Sequence, residues 1–205
     1  MSPPPDEQVS ATRPESPVGV IGTDHVTLEG TNTDATIEFY RDILGMPLVL
    51  AQPNLDRQHL THLFFDPGDG RLISFFVSED RDVPDDPLDI QPGEVHHLAF
   101  RIDGTRLDEI TAGLEDAGYE YSEFDRGAFH SLYTHDHNGL TIELVAEKYA
   151  IPDDRRGEVL ARAQAARMED GADFVHDEHM EAALAALDLP VDRVDVGEAP
   201  SGRDY

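Results

Sequence analysis

V-H-H-L-A-F-R-I, residues Val95–Ile102, is the stretch from which this chain is read. Its residues alternate: Leu98, Phe100 and Ile102 fall on one face of a strand, and Val95, His97, Ala99 and Arg101 on the other. The pattern occurs once earlier, at Thr23–Leu28 (T-D-H-V-T-L), where Val26 and Leu28 share a face and His25 points away. A third strand, Thr141–Ala146 (T-I-E-L-V-A), sets Ile142 and Leu144 against Glu143. Three strands thus each carry one metal-capable side chain opposite an apolar pair. The expectation is two copies of one small unit, folded so that His25, His97 and Glu143 converge.

Working outward from these strands, an element order repeats. Val18–Leu28 reads as a strand, followed by a helix capped by Thr33 or Asp34, carrying Ile37, Tyr40 and Leu44 at helical spacing and stopped by Gly45. Pro47–Gln52, His59–Phe65 and Leu72–Val77 read as strands, the last two joined by D-P-G-D-G (Asp66–Gly70). Ser78–Gly93 is an Asp- and Pro-rich linker. Val95–Ile102 then opens the second copy: a helix over Thr105–Ala117 closed by Gly118, and strands Tyr119–Phe124, Phe129–Thr134 and Thr141–Ala146. Twenty positions separate His25 from Gly45 and 21 separate His97 from Gly118, and aligning Gly70 with Gly139 sets Ser74 opposite Glu143. The order is βαβββ–βαβββ, an α+β fold with modules over residues 18–77 and 94–149. Helices over Asp153–Met168 and Asp177–Leu187 form a C-terminal extension, residues 150–189, expected to pack on the modules or on a second subunit. Residues 1–17 and 190–205 read as flexible tails.

The chain holds 43 acidic and 15 basic residues, a formal net charge of −28, and Lys148 is its only lysine. Acids spread along the whole chain, with arginine kept and lysine nearly absent, suit a halophilic protein whose self-repulsion is screened by salt. No basic stripe exists to neutralise phosphates, which argues against nucleic acid as a partner. No apolar run is long enough to span a bilayer, and Met1–Val18 lacks the apolar centre of a signal peptide, so the cytoplasm is the expected location. Cysteine is absent, which excludes disulfides, thiolate metal sites and cysteine nucleophiles.

Two imidazoles and one carboxylate on three strands make a facial triad, which holds a divalent first-row metal and leaves positions open for substrate. Zinc would accept the same ligands. His96 is expected to be structural, and His135, His137, His176 and His179 to face solvent. His59, His62 and His130 lie on hairpin strands near the expected cavity, where they could support the ligands.

The residues D-H-V-T-L, A-T-I-E-F-Y-R-D-I-L-G, H-H-L-A-F-R-I and S-L-Y-T-H-D-H-N-G-L-T-I-E-L resemble the vicinal oxygen chelate superfamily over about Val18–Tyr149. That superfamily includes glyoxalase I, fosfomycin-resistance transferases, bleomycin-binding proteins and type I extradiol ring-cleaving dioxygenases. The resemblance implies a U-shaped mixed sheet built from paired modules around a metal. A glyoxalase would want a ligand where this chain has Ser74; the trio His25, His97 and Glu143 is instead similar to the His-His-Glu set of extradiol dioxygenases. Tyr133, ten positions before Glu143, matches that branch's active-site tyrosine, and D-R-G-A-F-H-S-L-Y (Asp125–Tyr133) is similar to enzymes acting on catechols and hydroquinones. Arg71 stands near where those enzymes place a further histidine, and many of them have four modules.

The resemblance therefore implies a non-haem Fe(II) dioxygenase, with Mn(II) or Zn(II) as other metals, that opens a catechol or hydroquinone-like ring with O2. Tyr133 would be its catalytic hydrogen-bonding group. Phe76 and Phe129 would wall the ring, Arg101 would pair with a substrate carboxylate, and His130 and Ser74 would lie at the pocket. A homodimer is expected. The alternatives within the superfamily are a metal-dependent glyoxalase, a Mn(II) fosfomycin-type transferase or lyase, and a binding protein without catalysis.

Overall fold

The computed structural model describes residues 4–82 and 92–199. Two four-stranded mixed sheets form its frame. The first has the order β1-β4-β3-β2, built from β1 (His25–Thr31), β2 (Leu48–Pro53), β3 (Thr61–Phe65) and β4 (Leu72–Ser78). The second repeats it as β5-β8-β7-β6, from β5 (His97–Ile102), β6 (Ser122–Asp125), β7 (Phe129–His135) and β8 (Thr141–Glu147). In each, the first strand runs parallel to the last, His25 beside Leu72 and His97 beside Thr141, so Thr27 meets Ser74 where Ala99 meets Glu143. The tandem βαβββ architecture read from the sequence is present.

The first strand begins at His25 rather than Val18, because its ladder partner β4 starts only at Leu72. Residues 18–24 precede it exposed, and Val18, Val20 and Ile21 face solvent. In α1 (Thr33–Ile37) the cap is Asn32, not Thr33 or Asp34. Asn32 adopts a left-handed φ of 45°, which asparagine tolerates, and its side chain accepts from the Ala35 N–H at 2.9 Å. A π-helical turn over Glu38–Ile43 follows, and the adjacent Phe39 and Tyr40 are both fully buried there. Gly45, at φ 75°, ends the turn as read. In the second module α2 (Leu107–Asp116) buries Leu107 and Leu114.

One core joins the modules. It takes Leu63, Phe65, Ile73 and Phe75 from the first sheet and Leu132, Ile142 and Leu144 from the second, with Phe39 and Tyr40 between. Polar ties reinforce it. The Tyr40 hydroxyl donates to Asp136 at 3.0 Å, Thr31 donates N–H and hydroxyl to the Asn138 side chain at 2.9 Å, and His137 lies 3.0 Å from the Thr31 carbonyl. The turn after β7 is thus driven into the first module. His137, expected in solvent, is one of its anchors because its Nε2 meets both that carbonyl and the Thr36 hydroxyl.

Helices α3 (Arg156–Asp170) and α4 (Asp177–Ala186) form a second core with Ala128, Tyr149 and Ile151 of the second module. His179 is 2% exposed rather than solvated: it accepts the His176 N–H at 2.9 Å and lies 3.1 Å from Asp170, capping α4. The stretch after Pro190 is held better than a free tail. Arg193 bridges Tyr149, and Val196 is 5% exposed beside Gly104, where an added Cβ would come within 2.8 Å of it. The expected linker falls largely on residues 83–91, outside the described residues, as do the extreme ends of both tails. Among the described residues, no helix is long and apolar enough to cross a membrane.

Candidate metal centre

Strand alternation gives each sheet one face toward the shared core and one away from it. On the second sheet the outer face carries His97, Ala99 and Arg101 from β5, Glu143 and Val145 from β8, and Phe129, Ser131 and Tyr133 from β7. There His97 Nε2 lies 3.0 Å from Glu143 Oε2, and the Tyr133 hydroxyl donates to Glu143 Oε1 at 2.7 Å. Burial and then the Glu143 hydrogen bond push the Tyr133 phenol above its usual range, while Arg126 pulls the other way. Glu143 is 9% exposed, so this carboxylate is withdrawn from water yet reached by an imidazole and a phenol.

On the first sheet the outer face carries His25, Thr27 and Glu29 from β1, Ser74 and Phe76 from β4, and His62 and Phe64 from β3. His25 Nδ1 lies 2.6 Å from Asp24, and its ring stands edge-on to Phe64 at 6.3 Å. His62 is wedged between Phe64 (4.1 Å) and Phe76 (4.5 Å); burial first, and then nearby His25, lower its pKa.

The single chain therefore brings together two of the three expected ligands, plus Tyr133, and leaves out the third. No group of three His, Asp or Glu side chains fit to hold a metal occurs among the described residues. Within the single chain the modules meet through their core faces and the β7–β8 turn, and His25 lies on the face turned from that core, so among the described residues it does not join His97 and Glu143. The donor chemistry still fits a metal. In both histidines Nδ1 has a neighbour, Asp24 for His25 and His96 at 2.8 Å for His97, so Nε2, which in His97 meets Glu143 Oε2, is the nitrogen that would face a metal.

Other expected site residues divide. Phe76 lies on the His25 face and Phe129 on the Glu143 face, under the Arg156 guanidinium at 5.5 Å. Ser74 is fully buried and its hydroxyl is satisfied by Thr27 at 2.7 Å, so it is no ligand. His130 lies on the core face with Leu132, 2.5 Å from Glu123, because it is an odd number of residues from Tyr133. Arg101 is ion-paired with Asp153 ahead of α3 and is not held for a substrate carboxylate. His96 is exposed against His97 rather than in the core, since β5 starts after it. Sequence reading missed Arg126, whose guanidinium lies 4.9 Å from the Phe124 ring centroid and 5.2 Å from that of Tyr133. Only its position in the D-R-G turn before β7 hinted at it.

A model of the Glyoxalase/Bleomycin resistance protein/Dioxygenase superfamily matches residues 22–144. The chain belongs to this superfamily. Solved structures agree on the fold. A Bacillus subtilis protein provisionally named a dioxygenase is 24% identical with a TM-score of 0.55; the match covers 63% of this chain and 42% of that one. A glyoxalase/bleomycin resistance protein/dioxygenase domain from Frankia is 18% identical, TM-score 0.54, covering 62% of this chain and 98% of its own. A glyoxalase/dioxygenase from Nostoc punctiforme is 20% identical, TM-score 0.51, covering 67% and 99%. No curated protein matches the sequence.

Proposed function

We propose that this superfamily member is a metal-dependent enzyme whose centre is completed by two copies of the chain, and that it opens a dihydroxylated aromatic ring with O2. The observation that carries the reading is the His97–Glu143–Tyr133 cluster on the outer face of the second sheet. His25 stands at the equivalent register in the first sheet, 46% exposed at its side chain and without its partners. Strands β1 and β5 are edges of their sheets, so each offers an unpaired side to a second copy. A two-fold axis that sets β1 of one protomer beside β5 of its partner makes two equivalent sites, each taking His25 from one chain and His97 with Glu143 from the other.

That trio would hold Fe(II), with Mn(II) or Zn(II) suiting the same donors, and the metal would supply joint binding of substrate oxygens and O2. The protein's own residues do the rest. Tyr133 places a phenolic proton 2.7 Å from Glu143 Oε1, where it can be shared with a substrate oxygen. Phe76 from one protomer and Phe129 from the other wall an aromatic ring and keep water out. The acidic surface fits a protein that works in high salt.

The test is to load the protein anaerobically with Fe(II) in high salt, count metal per chain, add catechols or hydroquinones, and then admit O2. The expected result is about one metal per chain and a yellow ring-opened product. Metal uptake without product from any diol would refute ring opening while keeping the centre, and turnover that needs a thiol instead of O2 would reassign the reaction.

A further inference from the structure

The β6–β7 turn is built more firmly than a surface hairpin requires. Asp125 accepts the Gly127 N–H at 2.8 Å and both carboxylate oxygens accept from Lys148 Nζ at 2.8 and 2.9 Å. That lysine, the only one in the chain, is 3% exposed. The Arg126 N–H donates to the Phe129 carbonyl at 2.9 Å. Gly127, at φ 79°, is pressed so closely against the Val175 carbonyl that a Cβ would approach it to 2.8 Å. The C-terminal extension thus clamps the turn from below, and what the turn presents is Arg126. Its guanidinium is laid over Phe124 and over Tyr133, the phenol that donates to Glu143, and the two ring centroids are 6.0 Å apart.

We propose that Arg126 is a specificity-determining residue that receives an aromatic carboxylate, so that the substrate class is a dihydroxylated aromatic acid. This rests on the reading of the His97–Glu143 face as the active site. A guanidinium stacked on aromatic rings keeps its planar N–H fork in one orientation, and that fork matches a carboxylate with two parallel hydrogen bonds. The chain's charge of −28 repels an anionic substrate, so a fixed cation at the site is what admits one. Arg101, the residue first expected in this role, is committed to Asp153.

The experiment compares 3,4-dihydroxybenzoate with its neutral amide, 3,4-dihydroxybenzamide, by calorimetric titration of metal-free and Zn(II)-loaded protein. Wild type is expected to prefer the acid by at least about tenfold, Arg126→Gln to lose the preference, and Arg126→Lys to retain only part of it. An unchanged preference in Arg126→Gln, no preference in wild type, or no binding of either compound overturns the proposal. Should Arg126→Gln fail to fold, Arg126→Lys decides: a ratio equal to wild type refutes the planar fork. Phenylphosphonate binding tighter than benzoate would replace the carboxylate by a tetrahedral anion. Metal content separates the two levels: an arginine-dependent preference in protein that takes up no metal sustains this inference while removing the proposed reaction.

Discussion

Consider two variants, His25→Ala and His97→Ala, each lacking one imidazole from a different module. Both side chains are substantially exposed, 46% for His25 and 36% for His97, and each keeps one carboxylate neighbour, so each loss should cost about 1 kcal/mol or less and leave both variants folded. Each alone has every site short of one ligand. If subunits are exchanged at equal concentration, about half the dimers contain one chain of each kind. In such a dimer one site takes His25 and His97 from the two intact modules, and the other has neither. About a quarter of all sites are therefore whole, and metal content and turnover should rise to about a quarter of wild type. A site built within one chain predicts no recovery. The mirror experiment mixes wild type with the double variant in equal amounts: sites shared between chains leave about a quarter of the total intact, and sites within chains leave about half. The assay is metal per chain after gel filtration, with mixed dimers counted by native mass spectrometry. Mixed dimers without recovered metal or activity would refute the shared centre.

Three further outcomes follow from particular contacts. Tyr133→Phe removes the phenolic proton beside Glu143 and should lower kcat by about 10²–10⁴-fold with metal content unchanged; a loss of metal instead would make Tyr133 a structural support. Tyr40→Phe deletes a buried donor to Asp136, which keeps its bonds from Asn138 and Leu140, so urea unfolding should show a loss of about 1.5–3 kcal/mol, and an unchanged midpoint would deny this tie between the modules. Asp125 is subject to burial, which raises its pKa, but Lys148 and the Gly127 N–H prevail and hold it below the ordinary carboxylate range. A depressed carboxylate contributes stability above its unfolded pKa of about 3.9 and loses it as pH falls through the folded value. Thermal unfolding should therefore weaken below about pH 4, and less so in Asp125→Asn; identical acid profiles would exclude this ion pair as a source.

What the sequence determined by itself was local and periodic. Period-two alternation in Val95–Ile102 and Thr141–Ala146 placed His97 and Glu143 on the side opposite Leu98 and Ile142, and the spacing of glycines at Gly45, Gly70, Gly118 and Gly139 exposed the repeat. These survive because side-chain direction along a strand and a glycine's tolerance of positive φ are properties of the backbone at that residue. The same alternation also assigned Phe76 and Phe129 to the outer faces. Where strand phase was not counted, as at His130, the residue was put on the wrong side.

Tertiary structure decided everything that depends on which surface meets which. Arg101 was taken by Asp153, and His137 was drawn from solvent into the first module. Asn32 displaced Thr33 and Asp34 as the cap because it accepts a positive φ. Above all, the modules joined through Tyr40, Asp136 and Asn138, so that His25 was left apart from His97 and Glu143. Module pairing is set by the fit of whole apolar faces, a sum over residues far apart in the chain, and no short pattern records that sum.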